Sequence, residues 1–435
     1  MKARNRELFG LIPASLLVVA GFTAVFIQRQ DQVSNVSLTY GALFLGLCLG
    51  GHFFLRFALP NADPYLFPLF AALASIGLVM IYRIDETLAR QQAQWFVIGL
   101  ACFAATIIFL RDYRKLERYR YLIATASILL LMAPRLPVIG GTVNGAYLAV
   151  DIGPLTFQPA EFAKIGIVIF LASYLRDTRQ LLVQGSRRIL GVTIPPLKQF
   201  GPLLVVWGLA MLMLIFIRDL GSSLMFFGAF LALLYVATNR LSFVVVGLGM
   251  FSVGAWFFAS NLAYVQDRVD IWKDPFASGV IDNEGYQIAQ SLFAQADGGV
   301  FGVGLGQSLL DLPGGGVIIP APDTDLIYAV ITNEIGLVGA CGVILLYLLI
   351  VERGFRIAQL ARDSFSTLLA AGLTAVFALQ VFVIIGGVTK VIPLTGVTLP
   401  FISYGGSSIV ANFVLLALLL LISERARSRE REEAG

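Results

Sequence analysis

Residues 8–27 read LFGLIPASLLVVAGFTAVFI, twenty consecutive positions without a charge, preceded by Lys2, Arg4 and Arg6. As a helix this run is about 30 Å long, the thickness of a bilayer's hydrocarbon layer. It exceeds the roughly 7–15 residues of a signal-peptide core, so it reads as a retained anchor helix. Apolar runs of this kind recur to the end of the chain, and about twelve are expected to span: 8–28, 39–58, 65–82, 93–110, 120–134, 160–175, 201–217, 220–237, 242–260, 325–351, 366–387 and 406–422. Composition agrees. The chain is 58% hydrophobic and 13% charged, whereas a soluble domain carries about 25% charged residues. The fold class is all-α, a polytopic membrane protein whose surroundings are membrane lipids.

Charges between the runs report orientation. With a cytoplasmic N-terminus the inner connections carry Arg56, then Arg111 to Arg120, Arg176 to Lys198, Arg240, and Arg353 to Arg362. This satisfies the positive-inside rule with both termini cytoplasmic. Three richer connections then face outward: Arg135 to Pro159, Asn261 to Thr324 between helices nine and ten, and Gly387 to Gly405. The end of the chain, Ser423 to Glu433, reads as a solvated mixed-charge tail. Cys48, Cys102 and Cys341 sit in apolar runs as small hydrophobes. His52 stands in an apolar helix without metal-ligand spacing and reads as a packed residue. A net charge of +4, spread between spans, leaves no nucleic-acid footprint.

Chemistry concentrates in Asn261 to Thr324. There Asp267, Asp270, Asp274, Asp282 and Glu284 lie near Arg268 and Lys273, with Trp272 and Tyr286 as flat surfaces. Carboxylates at a bilayer surface lose hydration, which raises their basicity toward the range of a general base. The glycines of Gly298 to Gly306 follow no strand, which excludes a dinucleotide loop and favours tight turns in a re-entrant segment. Glu161 and Lys164 share a face at the start of a helix opened by Pro159, either as a helix-start ion pair or with Lys164 facing a polar cavity. Arg218 and Asp219 read as a self-neutralising pair. The run Gly405-Gly-Ser-Ser408 offers backbone N–H groups to an anion, or a plain helix cap.

In order along the chain, Phe157-Gln-Pro-Ala-Glu161 with Lys164, Asp219-Leu-Gly221, Gly285-Tyr-Gln287, Gly298 to Gly306, Pro322-Asp-Thr-Asp325, Asn333 to Gly339 and Pro400 to Ser408 resemble the SEDS family of shape, elongation, division and sporulation proteins. The resemblance covers about residues 140–423. It implies a ten-helix core, here preceded by two extra N-terminal helices. The organisation becomes N-terminal membrane helices over 1–135, a core over 136–424 containing the extracytoplasmic loop 261–324, and a cytoplasmic tail over 425–435.

The resemblance also implies an activity: polymerisation of peptidoglycan glycan strands from lipid II on the outer face of the bacterial plasma membrane, with release of a polyprenyl pyrophosphate. It implies a class B penicillin-binding protein as partner within an elongation or division complex. The family's catalytic aspartate, a few residues before Gly-Tyr-Gln, falls here on Asp282, with Asp274 as the alternative. Arg268, Glu161, Lys164, Tyr286, Gln287, Lys390, Ser403 and Ser407 are the candidate substrate-binding residues. No metal ligand set is assigned, though a divalent cation such as Mg is allowed. Pro393 to Pro400 resembles the RodA branch more than the FtsW branch. A flippase for the lipid-linked precursor and a non-catalytic scaffold are the rival functions.

Overall fold

The computed structural model describes residues 3–30, 35–136, 140–143, 146–152, 155–184, 187–189, 192–194, 208, 217, 219–310 and 317–434. A backbone crossing hydrocarbon must satisfy its own N–H and C=O groups, which a helix does internally. The helices are α1 (Ala3–Gln30), α2 (Asn35–Ala58), α3 (Leu66–Ile84), α4 (Glu86–Phe109), the single turn α5 (Lys115–Arg118), α6 (Arg120–Met132), α7 (Pro159–Gln184), α8 (Leu220–Thr238), α9 (Leu241–Asn261), α10 (Ala263–Lys273), α11 (Tyr286–Gly298), α12 (Ile327–Leu360), α13 (Ser364–Val388) and α14 (Gly406–Ala434).

Among the described residues nine helices are long and apolar enough to cross a membrane: α1 to α4, α8, α9 and α12 to α14. Of the other three expected spans, 120–134 corresponds to the thirteen-residue α6 and 160–175 lies within α7. The third, 201–217, falls outside the described residues except for 208 and 217. Two small antiparallel sheets were not foreseen. In one, β1 (Gly140–Val143), β2 (Ala146–Ile152) and β3 (Leu155–Phe157) occupy the connection before α7. The other pairs β4 (Arg187–Ile189) with β5 (Val192–Ile194). Nor is Asn261 to Thr324 a plain loop, since it contains α10 and α11.

The chain forms two compact units. One holds residues 1–109, 267–353 and 380–435. Within it α14 packs along α4 and α1 along α3. Gly99 lets α4 approach α14, because a Cβ there would lie 2.4 Å from the Phe413 ring. Phe96, Phe401 and Phe413 fill the space around this contact with ring centroids 5.1–5.2 Å from Phe413. Polar groups are clustered at one end of this unit. Arg4 pairs with Glu7, whose Oε1 also lies 2.7 Å from His52 Nδ1. Arg427 pairs with Asp63, and Asn61 Nδ2 donates to Glu424 Oε1 at 3.1 Å. His52 is therefore packed, as its sequence context suggested, but against a buried acid. The residues that follow Ser423 continue α14 to Ala434 and anchor it to the α2–α3 turn, where a solvated tail was expected.

The second unit holds residues 110–266 and 354–379, with α7 packed on α6 and α8. Arginines that signalled orientation are used here in ion pairs: Arg114 with Asp363 at 2.7 Å, Arg120 with Asp177, and Arg176 with Glu117.

The glycine segment behaves as its composition implies. Gly336, at φ +68°, interrupts α12 inside the span, and freed backbone groups need new partners. Residues 299–304 supply them: Leu337 N donates to Gly299 O (3.0 Å), Val338 N to Val300 O (3.1 Å), Val303 N to Asn333 O (2.9 Å) and Gly304 N to Glu334 O (3.0 Å). Gly302 has φ +82°, and a Cβ there would stand 2.2 Å from the Glu334 carbonyl oxygen. Backbone strain alone costs about 1–3 kcal/mol for a side chain in such a conformation. Gly302→Ala is therefore expected to lower the melting temperature in detergent, whereas Gly342→Ala, which meets nothing within 4 Å, is expected to leave it unchanged or raise it slightly.

Candidate active site

Asp282 lies in a chain of tight turns between α10 and α11. Val280 N donates to Ala277 O, Asn283 N and Gly285 N both donate to Val280 O, and Asn283 Nδ2 donates to Gly279 O. These local bonds fix the backbone and turn the Asp282 side chain outward, where it is exposed and makes no hydrogen bond or ion pair among the described residues. Asp274, the alternative, is also exposed, but its Oδ1 accepts the Phe276 N–H at 3.3 Å in a turn directly after α10.

The same unit holds a platform built from three stretches. On α10, Arg268 Nη1 donates to Leu394 O at 2.6 Å and Trp272 Nε1 donates to Lys390 O at 3.0 Å. On α11, Ser291 Oγ donates to Val388 O at 3.0 Å. The Tyr286 hydroxyl donates to Val317 O at 2.7 Å, while Gln287 is half-buried one residue further on. Lys390 holds its backbone at φ +61° and its side chain is half-buried, with no ion pair among the described residues. The buried Ser403 hydroxyl donates to Thr324 O at 2.8 Å and accepts from Leu399 N at 2.9 Å, so it joins the 399–405 stretch to the approach of α12. Tyr404 N strengthens that join by donating to Asp323 O at 2.8 Å. Ser407 is buried in the first turn of α14.

Glu161 and Lys164 belong to the other unit. Lys164 Nζ donates to Glu161 Oε2 at 2.5 Å with both side chains buried, so of the two sequence readings the helix-start ion pair is present. The Arg218–Asp219 reading resolves differently. Arg218 lies outside the described residues, and Asp219 N-caps α8 by accepting from Ser222 N at 2.9 Å.

Two acids that the sequence did not mark for chemistry stand out. Asp325 is half-buried at the entrance to α12, close enough to residue 396 that a Cβ there would sit 3.5 Å from its Oδ2. Burial pushes its carboxyl up to about 6, with the Arg268 guanidinium drawing it down and Asp323 adding to the rise. Asp323 is raised as well, by burial first. The position inside Pro322-Asp-Thr-Asp325 was visible in the sequence; its desolvation was not. Because the folded-state value lies above the ordinary carboxylate value of 3.8, the folded chain holds the proton more tightly than the unfolded one. The ionised carboxylate thus destabilises the fold above about pH 6, and that penalty fades as pH falls from 6 toward 4. Asp325→Asn is expected to stabilise the protein by about 1–3 kcal/mol at pH 7.5, with a gain that shrinks by pH 4.5 in melts of the two proteins side by side.

The second acid, Glu334, is fully buried in the interrupted part of α12. Its Oε1 accepts from Arg83 Nε at 3.1 Å and its Oε2 from Gly306 N at 2.9 Å, while Arg83 Nη2 donates to Ser308 O at 2.7 Å. Among the described residues no group of three His, Cys, Asp or Glu side chains is placed to hold a metal ion.

The chain as a whole has counterparts in known proteins. Residues 64–428 match the cell cycle protein family of FtsW, RodA and SpoVE. The chain belongs to that family. Among its relatives, the peptidoglycan glycosyltransferase RodA of Mycobacterium tuberculosis is 40% identical over 98% of this chain and 91% of its own length. The stage V sporulation protein E of Bacillus subtilis is 32% identical over 82% of this chain and 95% of its own. Higher identity to RodA agrees with the branch that Pro393 to Pro400 suggested. Two solved structures share the FtsW/RodA/SpoVE fold. The rod shape determining protein RodA of Thermus thermophilus is 26% identical, with a TM-score of 0.59 over 84% of this chain and 97% of that one. A chain from a peptidoglycan synthase complex, described for coordinated polymerization and crosslinking, is 27% identical with a TM-score of 0.66 over 84% of this chain and 98% of that one.

Proposed function

We propose that this membrane protein is a peptidoglycan glycosyltransferase of the RodA type, which polymerises glycan strands from lipid II for cell elongation and shape. One observation carries the assignment to a site: an exposed Asp282 carboxylate, unpaired among the described residues and held by local turns, in the same unit as Arg268, Tyr286, Lys390 and Ser403. Asp282 takes the proton of the acceptor sugar's 4-hydroxyl as that oxygen attacks C1 of the lipid-linked sugar. The new O4–C1 bond forms with inversion, and the C1–oxygen bond to the pyrophosphate breaks, carrying its electron pair away with the polyprenyl pyrophosphate. Arg268 and Lys390 are the cations available in the same unit to balance that leaving charge. Lys164 belongs to the other unit and is held by Glu161. Among the described residues there is no dedicated metal cage. Mg at such a site would rely on substrate phosphates with one or two carboxylates, and no step is routed through it.

The positive-inside pattern supports cytoplasmic termini and an outward-facing site in the plasma membrane. A class B penicillin-binding protein, which crosslinks the strands, is the proposed partner, in keeping with the synthase complex that supplies a structural relative. The rival reading is a flippase. Lipid II supplied only at the outer face of reconstituted vesicles separates the two: polymer formed there requires no flipping, and its absence with active transport would favour the flippase.

A further inference from the structure

An open cavity lies against Phe401 of the 399–405 stretch. Its walls are Phe22 of α1, Phe44 and Leu47 of α2, Leu78 of α3, Phe96 of α4, and Phe401, and almost all of its lining is apolar. Three rings of its lining pack on one another, with centroids 5.9 Å apart for Phe22–Tyr40, 4.9 Å for Phe22–Tyr82 and 6.0 Å for Tyr40–Tyr82. Tyrosines suit a bilayer interface. Beside them Arg90 is exposed; it donates through Nε to the Tyr40 hydroxyl at 3.1 Å and through Nη2 to Glu86 at 2.6 Å, which leaves its Nη1 to meet a headgroup.

We infer that this cavity seats one acyl chain of an anionic bilayer phospholipid, with Arg90 at the phosphate. Every helix that lines it is long and apolar enough to span the membrane, so hydrocarbon surrounds its mouth. Two of those helices, α1 and α2, precede the 64–428 segment shared with the family. A pocket whose walls include both of them is a poor place for the tail of a substrate common to all members, which favours a resident lipid. Its rear wall is part of the platform. Phe401 takes φ +65°, and Gln92, also in the lining, donates to Ser403 O at 3.1 Å and accepts from Gly405 N at 3.3 Å. An acyl chain against Phe401 braces the stretch that Tyr404 ties to Asp323.

Native mass spectrometry of the full chain in detergent, titrated with dioleoyl phosphatidylglycerol or separately with undecaprenyl phosphate, tests this. Wild type is expected to retain one phosphatidylglycerol through detergent exchange. Ala93→Phe, which places a ring in the cavity, should weaken retention by at least about tenfold. Arg90→Gln, an exposed change that spares the fold, should weaken phosphatidylglycerol but not the zwitterionic phosphatidylcholine. Val97→Phe, on the lipid-exposed face of α4, should change nothing. Retention equal in wild type, Ala93→Phe and Arg90→Gln overturns the proposal. Preferential retention of undecaprenyl phosphate also overturns it and gives the cavity to the substrate's tail.

Discussion

Asp282→Asn is expected to abolish glycan polymerisation from lipid II by the reconstituted protein, with a loss of about 10²- to 10⁴-fold, the range that a positioned general base contributes. The change preserves shape while removing the group that takes the proton. It is also a clean test, because the Asp282 side chain is exposed and holds nothing else in place; expression, melting temperature and lipid II binding should stay at wild-type levels. Asp274→Asn should retain most activity, since its carboxylate serves a local turn. Full polymerisation by the Asp282 variant with loss in the Asp274 variant would move the base to Asp274. Wild-type polymerisation in both would sink the general-base reading of this segment.

The largest loss of stability is expected from Glu334→Ala. Its carboxylate is buried, is paired with Arg83 and receives a backbone N–H from the glycine segment. Removing one member of a buried pair leaves the other charge uncompensated, at a cost of about 3–5 kcal/mol. The Arg83 guanidinium, 15% exposed, would lose its carboxylate partner, and Gly306 N would lose its acceptor. A melt followed by intrinsic fluorescence should show a drop of several degrees, with an earlier onset of proteolysis between residues 298 and 310. Replacing both Arg83 and Glu334 by Met should restore part of the loss, because the unpaired charge is gone. A single variant as stable as wild type would show that water reaches the pair.

Each of these residues illustrates what a sequence can and cannot carry. The spans were legible because apolar runs of bilayer length have one economical backbone solution. The helix start at Pro159 was legible from local chemistry and the close approach at Gly298 to Gly306 from glycine density, whereas Asp219 read as a charge pair and only the structure shows it capping α8. Asp282 was found through motif order. In contrast, Glu334 and Arg83 are 251 positions apart, and Arg268 and Leu394 are 126 apart. Spacing along a chain holds no signal for such pairs. Arg4, Arg114 and Arg176 were counted as orientation charges, and only the fold shows each bound to an acid.

The sequence by itself determined that this chain is a helical membrane protein, which family it belongs to, and which polar segment carries its candidate chemistry. Those properties depend on composition, periodicity and short ordered motifs, all local along the chain. Tertiary structure alone decided that Asp325 is desolvated beside Arg268, that Ser403 and Tyr404 tie the 399–405 stretch to Thr324 and Asp323, and that α1 and α2 line an apolar cavity against Phe401. Burial and the pairing of distant groups exist only once helices remote in sequence exclude water together, so no reading of one segment at a time contains them.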